Sequence, residues 1–151
     1  MKQKRQISPA IAVADQPTAA DLEALKEEGY AAVVNLRQDG EPDQPMGTAA
    51  EGEVVRALGM DYLHLGVGSA PLTKEGVGAF CGFMDRHASD RVLVHCRKGS
   101  RASALVLLRR ALAEGWSPEE VAAKGQAAGL PVEGGLRTLV EDYLRAHSSG
   151  L

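Results

Sequence analysis

The sequence predicts an α/β fold, with a mostly parallel sheet of four or five strands flanked by helices. Two observations support this class. Short apolar runs typical of buried strands alternate along the chain with longer runs that carry the helical spacing of apolar residues. Most of the helical runs also begin at an N-capping residue and end at a glycine, as helices of globular proteins do.

The first predicted elements are a strand, a helix and a second strand. Ile7–Ala14 is an apolar run and forms the first predicted strand. Thr18 has the side chain of an N-cap, and Asp21, three residues later, completes a capping box. The helix that they begin should stop at Gly29, and Ala31–Leu36, which contains two adjacent valines, is predicted to be a buried strand.

A second helix and a third strand follow a long loop. Arg37–Gly47 is rich in glycine, proline and acidic residues, so it is predicted to be irregular. Thr48 and Glu51 have the spacing of another capping box, ahead of a helix that ends at Gly59. Met60–Leu65 alternates between apolar and polar residues well enough to form a strand.

The next elements lead to a cysteine. Gly66–Leu72 is predicted to be a loop, and Thr73–Ala88 carries the apolar stripe of a helix. Arg91–His95 contains the run Val-Leu-Val and is the strand that delivers Cys96. A helix that is apolar on most sides is predicted to follow over Ser100–Glu114.

The remainder of the chain is predicted to be helical. Ser117, Pro118 and Glu120 supply an N-cap, a first-turn proline and a capping-box carboxylate. Gly129 should end that helix, and Leu136–Ala146 is the last one. Alternating strands and helices build parallel sheets, in which ligands bind beyond the carboxyl ends of the strands. The predicted position of the cysteine is at such an end.

The composition is that of an ordinary globular protein. The chain has 151 residues and is expected to form a single domain over 1–151, with its core at about 7–146. The formal net charge of -3 gives no reason to expect nucleic acid or an anionic membrane as a partner. Two cysteines provide no disulfide framework, so a cytoplasmic location is expected. Of these, Cys81 lies beside phenylalanines and is expected to be core.

The stretch around Cys96 has the properties of an anion cradle that contains a nucleophile. The cysteine follows a buried strand, Gly99 permits close approach of the backbone, and a helix begins nearby. Three cations lie within five positions of the thiol, namely Arg97, Lys98 and Arg101. Such fields favour the thiolate, and cysteines of this kind titrate at roughly 3.5–7.5. A buried, inert cysteine has no use for these surroundings.

Each residue of this stretch has a predicted role. Cys96 is the nucleophile, which forms either a thiophosphate or a persulfide. Arg101 presents its planar guanidinium to two oxygens of a tetrahedral anion, and His95 steadies the thiolate without transferring protons. Arg37, at a strand end on the same edge, either orients substrate or forms a surface salt bridge. The residues expected to bind the anion are Arg97, Lys98, Gly99, Ser100 and Arg101.

The same segment resembles a known superfamily. Val92–Arg101 resembles the signature loop of cysteine-dependent protein tyrosine and dual-specificity phosphatases. Other pieces resemble a bacterial branch, the phosphatase-like domain of beta-lactamase-hydrolase-like proteins, which is sometimes described as a sulfur transferase. These pieces are Gln16–Thr18, Val33–Arg37, Tyr62–Leu65 and Gly115–Val121. The resemblance covers roughly residues 7–143 and implies a phosphatase-like fold.

The loop departs from the phosphatase signature in its length. Four residues separate Cys96 from Arg101, where the signature has five, and the sixth position after the cysteine is Ala102. A loop of this shorter kind is also typical of rhodanese-like sulfurtransferases, and a smaller ring suits a single transferred sulfur. Loop length therefore favours sulfur transfer, whereas the rest of the chain favours phosphate.

The second departure concerns the general acid. Phosphatases of this type usually take an aspartate from the loop that is Gly66–Leu72 here, and this loop contains no carboxylate. Asp39, Glu41 or Asp43 in the preceding acidic loop could reach the site, although a solvated turn is the simpler interpretation. Proton delivery contributes about 10²–10⁴-fold to such reactions. Without proton delivery, aryl phosphates should react better than alkyl phosphates, because a phenol, with a pKa of about 10, leaves as its anion more readily than an alcohol does.

The sequence therefore predicts a phosphatase that hydrolyses phosphomonoesters, preferably aryl esters such as phosphotyrosine, through a phosphocysteine intermediate. No cofactor is expected, and no residue spacing is typical of a metal site. The partner would be a phosphorylated small molecule or a phosphoprotein, with phosphate or sulfate able to bind the loop. Two alternatives remain open: a rhodanese-like sulfurtransferase that uses a Cys96 persulfide, and a weakly catalytic anion-binding signalling module.

Overall fold

The computed structural model describes residues 1–147. The single domain over 1–151 stays a prediction. The elements, in chain order, are β1 (Arg5–Gln6), β2 (Ile11–Ala14), α1 (Ala19–Glu27), β3 (Tyr30–Asn35), α2 (Thr48–Ala57), β4 (Asp61–His64), α3 (Lys74–Arg86), β5 (Arg91–His95), α4 (Ser100–Glu114), a 3₁₀ turn (Pro118–Glu120), α5 (Val121–Ala127) and α6 (Gly134–His147). Within residues 1–147, no helix has the length and hydropathy needed to cross a membrane.

The sheet has five strands in the order β1-β2-β5-β3-β4. Strands β2, β3, β4 and β5 run parallel to one another, and β1 pairs with β2 at the edge in the antiparallel direction. Central strand β5 places Val94 opposite Val13 on one side and Val34 on the other. This architecture confirms the predicted mostly parallel sheet. It also brings the carboxyl ends of β2, β3 and β5 to one edge, where Cys96 follows β5.

Helices cover both faces of the sheet because successive strand residues point to opposite sides. Val33 and Leu93 pack on the face covered by α1 and α2, together with Leu22. Val34 and Val94 pack on the other face, with side chains from α3, α4, α5 and α6. Helix α4 is buried around most of its circumference, as its apolar sequence predicts, and it fixes the loop that precedes it.

The first predicted strand, Ile7–Ala14, is wrong in extent. The chain forms a hairpin in which only Ile11–Ala14 joins the parallel sheet as β2. Ser8 turns the chain because its Oγ accepts hydrogen bonds from the backbone N–H of Ala10 at 3.2 Å and of Ile11 at 3.1 Å. Pro9 lies in this turn, where the lack of an N–H group carries no penalty.

Two of the three predicted capping boxes are confirmed, at Thr18 and at Ser117. The third, between Thr48 and Glu51, is wrong. Helix α2 has Gly47 as its N-cap, and Thr48 is its first residue. Its N-terminus is capped from outside, because the Thr48 N–H and hydroxyl donate to Asp39 at 2.8 and 3.0 Å. The Glu51 side chain is left to point into the core.

Candidate active site

Cys96 lies at the floor of a cleft, directly after central strand β5. Its N–H donates to the Ala14 carbonyl at 3.2 Å, and the residue is 1% exposed. The chain then turns back at Gly99, whose N–H donates to Cys96 Sγ at 3.1 Å. Gly99 has a φ of +102°, a left-handed conformation that a side chain would strain. The glycine therefore brings a backbone donor onto the sulfur.

Helix α4 begins at Ser100, immediately after this turn. The N–H groups of its first turn have no intrahelical acceptors, and the helix dipole adds partial positive charge at the same end. The early start also accounts for the short spacing in the sequence, since Arg101 is the second residue of the helix. The loop therefore combines a thiol, free backbone donors and a helix N-terminus.

The Arg101 guanidinium is held by a bidentate ion pair with Glu41. Nη1 and Nη2 donate to the two carboxylate oxygens at 2.7 and 2.8 Å, and Nη1 also donates to the Val67 carbonyl at 2.9 Å. The hydrogen bond to Glu41 is the main cause that raises the pKa of Arg101, and an electrostatic interaction and a hydrogen bond with the Cys96 side chain contribute further. Arg101 therefore lies within electrostatic reach of the thiol.

All three carboxylates proposed as general acids have partners that favour the ionised form. Hydrogen bonds from Arg101 lower the pKa of Glu41 from 4.5 to about 2. Asp43 accepts from Arg97 at 2.7 Å, and this contact lowers its pKa. The Thr48 N–H lowers the pKa of Asp39. In this arrangement the acidic loop supplies counter-charges and a helix cap.

Arg37 forms a salt bridge, as one of its two predicted alternatives held, but the residue is fully buried, so the predicted surface location is wrong. Its Nε donates to Glu41 at 3.1 Å, and its Nη1 donates to Gln16 Oε1 at 2.8 Å and to the Asp43 carbonyl at 3.2 Å. Its Nη2 donates to the Pro42 carbonyl. The guanidinium therefore fastens the acidic loop to the sheet edge beneath the cleft.

His95 is also fully buried and lies beneath the loop, outside the cleft lining. Its Nε2 is 2.6 Å from Glu51 Oε2, and its Nδ1 is 3.3 Å from the Cys96 carbonyl oxygen. Sequence reasoning missed Glu51 as a site residue. A signal existed, because Glu51 falls four residues before Val55 and so lies on the buried face of α2.

The cleft above Cys96 has a volume of about 830 Å³. It brings together four of the five predicted anion-binding residues, Arg97, Lys98, Ser100 and Arg101, while Gly99 supplies its N–H from behind. The Gly66–Leu72 loop and helix α6 with the residue before it form the rest of the lining. The sequence did not place α6 at the site. The side chains of this part of the lining include Pro71, Leu136, Leu139, Glu133 and Asp142.

Comparison with known proteins gives a family and relatives of this chain. The family described as "Beta-lactamase hydrolase-like protein, phosphatase-like domain" matches residues 3–113. A beta-lactamase hydrolase-like protein of Agrobacterium fabrum is 36% identical over 107 residues, which cover 70% of this chain and 24% of the relative. One of Xylella fastidiosa is 33% identical over 125 residues, which cover 82% and 28%. The chain thus spans about a quarter of the curated relatives it matches.

Solved structures share the fold. A putative phosphatase from Shewanella putrefaciens superposes with a TM-score of 0.73 and 27% identity, over 95% of this chain and 92% of that one. PTPMT1 superposes with a TM-score of 0.75 and 17% identity, over 97% of both chains. The fold is therefore that of the protein tyrosine and dual-specificity phosphatases, as the resemblance of the loop implied.

Proposed function

This chain belongs to the family of phosphatase-like domains of beta-lactamase hydrolase-like proteins, and we propose that it hydrolyses phosphomonoesters through a phosphocysteine intermediate at Cys96. One observation carries the proposal. The Cys96 sulfur, the Gly99 N–H at 3.1 Å and the Arg101 side chain converge on one cleft at a helix N-terminus. These groups combine a nucleophile with donors for a tetrahedral oxyanion.

The proposed reaction has two displacements. The Cys96 thiolate attacks phosphorus, so an S–P bond forms while the bond from phosphorus to the ester oxygen breaks. The ester oxygen leaves as an anion, such as a phenolate, and takes its proton from water. Water then attacks phosphorus, the S–P bond breaks, and inorganic phosphate and the thiolate are released. Backbone N–H groups of the loop and Arg101 bind the non-bridging oxygens throughout.

Arg101 retains donors for this task in spite of its ion pair. A guanidinium has five N–H groups, and three hydrogen bonds link this one to Glu41 and Val67. A hydrogen bond between Arg101 and the Cys96 side chain also contributes to the raised pKa of the arginine. The Nε–H and one Nη2–H are not used by Glu41 or Val67. They lie on one edge of the planar fork and suit two phosphate oxygens. Glu41 thereby orients the Arg101 guanidinium without occupying all of its donors.

The leaving group must depart with little help from a side-chain acid. Glu41, Asp39 and Asp43 are all held towards the ionised form, and the Gly66–Leu72 loop contains no carboxylate. The carboxylates that line the cleft, Glu133 and Asp142, lie on its α6 side. We propose that the enzyme favours aryl phosphates, because a phenolate leaves without a proton more readily than an alkoxide. Leu136 and Leu139 on the cleft wall can pack against an aryl group.

The physiological substrate is proposed only by class, as a phosphorylated small molecule or phosphoprotein. PTPMT1, a structural neighbour, has been solved in complex with PI(5)P, which shows that this fold can accept a phosphorylated lipid headgroup. We propose a cytoplasmic location, where Cys81 and Cys96 would both remain reduced.

A sulfurtransferase is the second candidate, and the short spacing from Cys96 to Arg101 favours it. In that reaction the thiolate attacks the outer sulfur of thiosulfate, forms a persulfide and releases sulfite. Cyanide then takes the sulfur as thiocyanate and regenerates the thiolate. The cradle that would hold phosphate oxygens can hold the sulfonate oxygens of thiosulfate in the same way.

The experiment measures both reactions with matched variants. Wild-type protein should hydrolyse p-nitrophenyl phosphate in a vanadate-sensitive reaction, and Cys96→Ser should lower kcat by more than about 10³-fold. Cys81→Ser makes the same chemical change at a half-buried cysteine outside the cleft and should leave kcat unchanged. Transfer of sulfur from thiosulfate to cyanide, lost in Cys96→Ser, would replace the proposal. Phosphate binding without either reaction would indicate the anion-binding module.

A further inference from the structure

Glu51 is a charged side chain in the core that the proposed chemistry does not use. It has no exposed surface, although burial of a carboxylate costs several kcal/mol unless partners compensate. It has two such partners: His95 lies 2.6 Å from its Oε2, and Gln16 Nε2 donates to its Oε1 at 2.8 Å. Both partners are linked to the active site: His95 precedes Cys96, and Gln16 accepts a hydrogen bond from Arg37.

The hydrogen bonds of His95 indicate its state. Its two ring nitrogens face oxygen acceptors, the Glu51 carboxylate and the Cys96 carbonyl. A neutral imidazole has one N–H and one nitrogen lone pair. Beside an ionised carboxylate, that lone pair would therefore face one of the two acceptor oxygens. An imidazolium donates to both oxygens, and the buried carboxylate neutralises its charge. His95 then adds a positive charge beneath the residue that carries the nucleophile.

The contacts of Glu51 continue to the other side of the cleft. Gln16, which donates to Glu51, accepts from Arg37 Nη1 at 2.8 Å. Arg37 donates to Glu41 at 3.1 Å, and Glu41 holds Arg101. Acidic and basic groups alternate along this path, with the neutral Gln16 between Glu51 and Arg37. We call it the polar chain, and it consists of His95, Glu51, Gln16, Arg37, Glu41 and Arg101.

The charged surroundings of the pair come from several elements. From β4, Tyr62 feels the charge of Glu51, and burial together with that charge raises its pKa, so the phenol stays neutral. From the end of β3, Arg37 acts through Gln16. On the cleft side, His95 is followed by Cys96, and Arg101 interacts electrostatically with that sulfur. Glu51 is therefore the negative group in direct contact with His95.

We infer that Glu51 is a positioning residue of the active site: it holds His95 with both nitrogens donating and anchors the polar chain that presents Arg101. Loss of the carboxylate charge would favour the neutral imidazole and remove a cation from beneath the thiolate. The inference concerns the reactivity of Cys96, and its catalytic consequence rests on the proposed phosphatase function.

The test measures the rate of Cys96 alkylation by iodoacetamide against pH in a Cys81→Ser background. Glu51→Gln keeps the size of the side chain and removes its charge, so Cys96 should be alkylated more slowly, by up to about tenfold, at acidic to neutral pH and should regain its rate as the pH rises. Glu53→Gln makes the same change two residues away on the exposed side of α2 and should leave the profile unchanged. An unchanged profile in a folded Glu51→Gln protein would overturn the inference.

Turnover separates this inference from the proposed function. With p-nitrophenyl phosphate, Glu51→Gln should lower kcat by up to about tenfold at acidic pH, with most of the loss recovered at higher pH. A merely structural defect would lower activity equally at all pH values and would count against the inference. If wild-type protein hydrolyses no phosphate ester, the proposed function fails, while the alkylation profile still decides the role of Glu51.

A second measurement covers the case in which Glu51→Gln does not fold. The ¹⁵N chemical shifts of the His95 ring in wild-type protein report directly how many of its nitrogens carry a proton. Two protonated nitrogens at pH 7 would support the inference. A neutral imidazole at that pH would overturn it, whatever the behaviour of the variant.

Discussion

The ion pair between Glu41 and Arg101 predicts a pH-dependent contribution to stability. Hydrogen bonds from Arg101 lower the Glu41 pKa from 4.5 to about 2, with further contributions from the Gln38 N–H and from Arg37. The difference corresponds to about 3 kcal/mol at about 1.4 kcal/mol for each pH unit. Because Glu41 is only 17% exposed, solvent screens little of this interaction. A Glu41→Gln protein, which keeps one acceptor oxygen, should lose about 2–3 kcal/mol at pH 7.

The sign of the pH dependence follows from the lowered pKa. The contribution is fully present above the pKa of 4.5 that the carboxyl has in the unfolded chain, and it is lost as the pH falls towards 2. Urea denaturation of wild type and Glu41→Gln at pH 7, 5, 4 and 3 measures it. Glu53→Gln, an exposed change of the same kind, is the control. A difference below about 0.5 kcal/mol at pH 7, or one equally large at pH 3, would refute the reasoning.

Three further predictions follow from other parts of the structure. Among matched esters, kcat/KM should be about 10²-fold or more higher for phenyl than for alkyl phosphate, and equal values would contradict the proposed aryl preference. Burial lowers the pKa of His87, but the hydrogen bonds that its ring donates to Asp61 and Asp90 outweigh burial and raise the pKa. Their stabilisation is therefore present below about pH 6.5 and lost as the pH rises through the folded value. A His87→Gln protein whose stability deficit grows above pH 7 would contradict this. Gly125→Ala should lower the free energy of unfolding by about 1–3 kcal/mol, because its Cβ would lie 2.9 Å from a Leu107 methyl. Gly78→Ala, with open space around it, should raise the free energy of unfolding by up to about 1 kcal/mol. Thermal denaturation of both variants tests the contrast.

The loop that carries Cys96 was predictable because its signals are local. Cys96, Gly99 and the start of α4 lie within five residues, and strand, turn and helix each have a short-range sequence pattern. The same holds for the confirmed caps at Thr18 and Ser117, where a side chain bonds to a backbone group three residues away. Caps and turns of this kind can be predicted from short sequence patterns before the fold is known.

The partners of the site were not predictable, because they are brought together by the sheet. Glu41 and Arg101 are separated by 60 residues, and no spacing in the sequence links them. The capping interpretation of Glu51 failed for a related reason. A glutamate three residues after a threonine is the pattern of a helix start, and only the placement of His95 beneath α2 decides that the side chain turns inward.

The central claim is that Cys96 carries a phosphoryl group during turnover. The most direct measurement is rapid-quench mass spectrometry of the protein after mixing with an aryl phosphate or, separately, with thiosulfate. We predict a phosphoryl adduct on the Cys96 peptide with the first substrate, absent in Cys96→Ser. An added sulfur on Cys96 with the second substrate, and no phosphoryl adduct with the first, would contradict the account.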